Sequence, residues 1–93
     1  MPRQEPQPGV ALAIRDVRIE KGLTQEELAG RSKLHLTWVG RIEGGKANPS
    51  WGTVRRIAQA LGITLGKLAE LAEQKDRELA EGDEDEDDDD AGA

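Results

Sequence analysis

Between residues 10 and 72 the apolar residues fall in short groups at three- and four-residue spacing, and glycine closes three of those groups. A chain patterned in this way is held to helices, because one face of each turn is apolar and the stops are built in. Val10, Ala13, Ile14 and Val17 give a first helix its inner face, and Gly22 ends it. Thr24 and Glu27 then stand at the spacing of a capping box, with Leu28 and Ala29 facing inward on a second helix that ends near Arg31. Leu34 lies in the turn that follows. A third helix is predicted from about Leu36 to Glu43, with Val39 and Ile42 as its buried pair and Gly44-Gly45 as its stop. Asn48-Pro49-Ser50 reads as a turn with Ser50 as N-cap of a fourth helix carrying Trp51, Val54, Ile57, Ala58 and Leu61, closed by Gly62. Trp51 is expected to fill space between helices. Thr64 caps a fifth helix with Leu65, Leu68 and Leu71 on its inner side, and residues 73–81 extend it as a polar segment with Leu79 as the single large apolar anchor.

Composition supports an all-α reading. The chain has 93 residues, room for one domain, and it contains no Phe, Tyr or Cys, so Leu, Ile, Val and Ala must supply the packing. Without cysteine there is no disulfide framework, and a reducing, cytoplasmic compartment is the expectation. One histidine and no cysteine argue against a structural zinc site, and no cofactor or metal is expected. Nothing resembling a nucleophile with its base, or a carboxylate pair in a pocket, can be assembled, so no catalysis is expected. The opening MPRQEPQPG is polar and leads into no apolar run suited to a signal peptide or a membrane span. The expected organisation is a flexible arm over residues 1–9, a domain over 10–72, a polar helical extension over 73–81 and a disordered acidic tail over 82–93.

Charge is segregated along the chain. The formal net charge is −6, yet residues 10–69 hold ten basic residues against five acidic ones, a net of +5. The run Asp83 to Asp90 alone contributes −8. A cationic body with an anionic end suits an anionic partner such as DNA, because phosphate contacts need Lys, Arg, amide donors and helix N-termini.

The second and third helices, short and joined by a tight turn, have the pattern of a helix-turn-helix. The stretches IRDVRIEKGLTQEELAGRSKL, WVGRIEGGKANPS and VRRIAQALGITLGKLAEL go further. In their order and spacing, from Ile14 to Leu71, they resemble the DNA-binding domain of the Cro/C1-type, or Xre, family of bacterial and phage regulators. That resemblance implies a compact five-helix, lambda-repressor-like domain. It implies base contacts from Leu36, Thr37 and Arg41 in the major groove. It further implies backbone contacts from Thr24, Gln25, Trp38, Lys46 and Asn48, with Gln25 as a phosphate clamp, and an internal salt bridge between Arg18 and Glu43. Arg41 would pair bidentately with a guanine, worth about 1–3 kcal/mol of discrimination, and Leu36 would meet a thymine methyl.

The chain departs from the family pattern at three positions. Lys33 occupies a turn position where glycine is frequent, His35 stands where Ser or Thr usually caps the recognition helix, and Gly40 lies inside that helix.

The function implied is a sequence-specific transcriptional regulator, most often a repressor in this family, acting in the cytoplasm at the nucleoid. Modules of this size usually reach operator affinity as two-fold dimers on palindromes. A homodimer is therefore expected, through Leu65, Leu68, Leu71 and Leu79 on the last helix. Two other readings use the same fold: an antitoxin that autoregulates its operon, and an interaction adaptor without DNA binding. Either would engage a protein partner through the acidic tail or the last helix.

Overall fold

The computed structural model describes residues 7–92, with side chains described over residues 7–82. Five helices follow in order: α1 (Pro8–Glu20), α2 (Gln25–Ser32), α3 (Leu36–Glu43), α4 (Trp51–Leu61) and α5 (Leu65–Gly92). No strand occurs among the described residues.

Helix α1 starts two residues ahead of the sequence-based expectation, with Pro8 at its first position. Proline fits there because its φ is already helical and the N–H it lacks has no intrahelical partner. Gly9 is buried: a Cβ on it would stand 2.5 Å from the Ala72 carbonyl oxygen and would meet the Asp76 carboxyl group. The start of α1 is thereby fastened to α5, and only residues 1–6 of the expected arm remain, outside the described residues. The bounds of α5 run past residue 81 to Gly92, with no proline to interrupt them. Beyond Gly82, the acidic tail expected over 82–93 falls on residues whose side chains lie outside the described ones.

The first four helices end in one motif. After α1, Leu23 N–H donates to Arg18 O and Gly22 N–H to Ile19 O; α2, α3 and α4 repeat the pair through Leu34 to Ala29, Lys46 to Arg41 and Ile63 to Ala58. Each needs a left-handed residue just past the helix. Gly22, Gly45 and Gly62 supply it at φ 73°, 73° and 75°, whereas after α2 the position is held by Lys33 at φ 59°.

Ile14, Leu28, Val39, Ile42, Ile57 and Leu68 are the largest fully buried side chains, so every helix contributes to one aliphatic core. Leu23 and Ala47, from the connections after α1 and α3, complete it. Helix α1 packs most extensively on α5, and an ion pair at 2.7 Å between exposed Asp16 and half-buried Lys75 joins the same two elements. The α2–α3 unit rests against α1 and α4, which leaves its outer side uncovered by the other described helices.

Trp51 corrects the sequence-based expectation. It opens α4 and is 63% exposed, at the mouth of an apolar groove of about 350 Å³ lined also by Val10, Pro49, Val54, Leu65 and Ala72. It is the first residue after the Ser50 cap, and the buried residues of α4 begin with Val54, three positions on. Leu68, expected at a dimer surface, is 1% exposed and belongs to the monomer core. It faces inward with Ala72, four residues on, and is closed to a second copy.

Candidate nucleic-acid interface

Helix α2 is started by a complete capping box: Thr24 Oγ1 accepts from Glu27 N–H at 3.0 Å, and Glu27 Oε1 accepts from Thr24 N–H at 3.0 Å. Thr24's backbone and hydroxyl groups hold the Glu27 carboxylate below the usual glutamate range. The box satisfies the Thr24 and Glu27 amides and leaves the first-turn amides of Gln25 and Glu26 without intrahelical acceptors, pointing outward. Helix α3 begins after His35, whose side chain makes no capping bond. The turn between the two helices is closed by Lys33 in the left-handed region, and Arg56 of α4 donates to the Lys33 carbonyl at 3.0 Å.

Behind the two helices lies a buried polar network. The Glu43 carboxylate accepts from Arg18 Nε at 2.7 Å and Arg18 Nη2 at 3.0 Å, while Arg18 Nη1 donates to Leu23 O at 2.7 Å. Gln25 Nε2 adds a further donor to Glu43 Oε1 at 3.1 Å. The Glu43 side chain is 3% exposed and Arg18 12%, so the pair is largely shielded from water. No buried side-chain nitrogen or oxygen among the described residues lacks a partner. One cluster thus pins α1, the start of α2 and the end of α3 together.

The outer face of α3 is different. Leu36 (44% exposed), Thr37 and Arg41 are all exposed, and Trp38 is half-buried against the core. The Arg41 guanidinium carbon lies 6.0 Å from the centroid of the Trp38 ring. Leu36 shares an open recess with Thr24, Gln25 and Glu26, so the starts of α2 and α3 border one concave surface. Lys46 and Asn48 are exposed in the connection after α3; Asn48 also lines the groove beside Trp51.

Two features of the surface escaped the sequence reading. Gln25 is half-buried and tied to Glu43, a neighbour 18 positions away that no local pattern reveals. Arg15 is exposed beside Gln25, Gly40 and Gly44, adding a cation to this face. Its position three residues before Arg18, one turn away on the same helix side, was a usable signal. Among the described residues no group of His, Cys, Asp or Glu is placed to hold a metal ion, and no helix is long and apolar enough to cross a membrane.

A short capped helix, a tight turn and a second helix with an exposed polar face, seated on three supporting helices, define a helix-turn-helix domain. The family model described as a helix-turn-helix domain matches residues 10–72, and the chain belongs to that family, in its Cro/C1 (Xre) branch. Among its relatives, the HTH-type transcriptional regulator DdrOP3 of Deinococcus deserti is 33% identical over 57 residues, covering 61% of this chain and 44% of that protein. The crystal structure of the restriction-modification controller protein C.AhdI from Aeromonas hydrophila superposes with a TM-score of 0.65 at 35% identity, over 67% of this chain and 94% of that one. The clp gene regulator ClgR from Corynebacterium glutamicum shares the fold at a TM-score of 0.75 and 24% identity, over 83% of each chain. The match spans less than half of DdrOP3, and 62% of a second curated relative from Sinorhizobium fredii.

Proposed function

We propose that this protein is a sequence-specific DNA-binding transcriptional regulator that represses as a homodimer on a palindromic operator. The observation that carries the proposal is the exposed face of α3, with Leu36, Thr37 and Arg41 outward on a helix fixed from behind by the Arg18–Glu43–Gln25 network. A rigid helix with exposed polar and apolar tips is what base reading in the major groove requires. In this reading the α2 first-turn amides, Thr24, Gln25, Lys46 and Asn48 grip phosphates on either side, and Arg15 joins them. Relatives named as transcriptional regulators and controller proteins support the same reading.

The dimer surface, in this reading, is the side of α5 carrying Leu65, Leu71 and Leu79, together with exposed Trp51 of α4. Leu79 is 38% exposed and Trp51 63%, whereas Leu65 and Leu71 are partly covered by the chain's own core.

The test is selection of duplexes from a random-sequence library by the full-length chain at about 150 mM salt, where nonspecific phosphate attraction is damped. Recovery of a two-fold symmetric motif supports a dimeric regulator. A folded chain that enriches no motif overturns the proposal.

A further inference from the structure

We infer that Trp38 is a positioning residue for base reading: its ring face carries the Arg41 guanidinium back toward the start of α3, where the bases are read. The inference rests on the DNA-binding reading above and assigns Trp38 a role other than a contact to the sugar-phosphate backbone.

The geometry begins with a difficulty. Recognition helices meet base edges mainly with their first residues, yet Arg41 is the sixth of eight residues in α3 and belongs to its last turn. A side chain in a helix leans toward the N-terminus and over the residue three or four positions earlier. For Arg41 the residue three positions earlier is Trp38, and the guanidinium carbon lies 6.0 Å from its ring centroid. Trp38 is half-buried and packed against the core, so its ring is held by the body of the domain. Arg41 is exposed and forms no ion pair among the described residues. The electron-rich face of the neutral Trp38 ring is thus positioned to attract the Arg41 cation, and it restricts a side chain that would otherwise sample many rotamers. Thr37 and Leu36, the residues at the reading end, lie immediately ahead of Trp38 in the same helix.

The experiment has one arm without DNA and one with it. In free protein, the Arg41 side-chain protons are expected upfield of ordinary arginine positions through the ring current, shifted less in W38F and back to ordinary values in W38L. Arg41 resonances that do not respond to Trp38 substitution overturn the inference. On the duplex selected by the wild type, a double-mutant cycle combines W38L with R41A, and W38F replaces W38L if the smaller side chain unfolds the domain. W38L is expected to weaken binding about fivefold in the wild-type background and less than twofold with R41A present. W38F retains a ring and loses less. Equal losses in the two backgrounds show that Trp38 touches DNA or supports the fold independently of Arg41, and overturn the inference. A chain that selects no duplex overturns the regulator reading instead, while the ring-current arm still decides whether Trp38 holds Arg41.

Discussion

Lys33 stands where its three counterparts are glycine: φ is 59° at the left-handed residue that ends α2. A side chain there costs about 1–2 kcal/mol through crowding of Cβ against the following carbonyl. Arg56 donating to the Lys33 carbonyl at 3.0 Å offsets part of this. Lys33→Gly is expected to stabilise the domain by about 1 kcal/mol, less than the full relief because glycine also gains freedom in the unfolded chain. The midpoint of urea denaturation at unchanged m-value checks it. Gly40, another of the three departures, is tolerant: a Cβ there would stand 3.9 Å from Gln25 Oε1, an ordinary contact. Thus the turn, and not the glycine inside α3, carries the strain in the helix-turn-helix.

The Arg18–Glu43 pair joins helices separated in sequence by two connections, and its removal tests how the elements are held. Glu43→Ala leaves the Arg18 guanidinium buried without its carboxylate and is expected to destabilise by about 3–5 kcal/mol. Removing both partners, as R18M/E43L, is expected to cost much less, and the comparison by thermal or urea melting separates lost attraction from stranded charge. A second expectation concerns the start of α2. The Glu27 carboxylate is depressed below 4.5 by its bonds to Thr24, so its contribution is present above the unfolded value and is lost as pH falls through the folded one. The difference in melting midpoint between wild type and E27Q should therefore shrink on acidification below 4.5. A gap that stays constant to lower pH shows that the cap does not use the charge. The five helices were legible from the sequence because aliphatic spacing and glycine stops act within a few residues. The buried pair of α3, Val39 and Ile42, was legible for the same reason, whereas its outward residues Leu36, Thr37 and Arg41 were named from the family resemblance. What was not legible depends on partners remote in sequence. Gln25 turns inward because Glu43 is there to accept, and Trp51 is exposed because the buried side of α4 begins only at Val54.

In the whole molecule the cations of residues 10–69 and the anionic run 83–90 are separated along the chain, so DNA binding is expected to be strongly salt-dependent. Lys46→Ala is expected to weaken binding evenly across sequences and to lower the slope of log affinity against log salt by about one. Arg41→Ala is expected to relax preference at a single base pair. Titrations at several salt concentrations, on matched and single-substituted duplexes, distinguish the two. The fastening of the start of α1 to α5 has a separate consequence. Gly9 meets Ala72 and Asp76, and Asp16 meets Lys75, so the α2–α3 unit lies between the first and last parts of the domain to be synthesised. A product whose translation stops before residue 65 lacks α5, the helix on which α1 packs most extensively. Such a fragment is expected to leave its aliphatic core open to proteases and to be cleared before it can compete with the full-length chain for DNA.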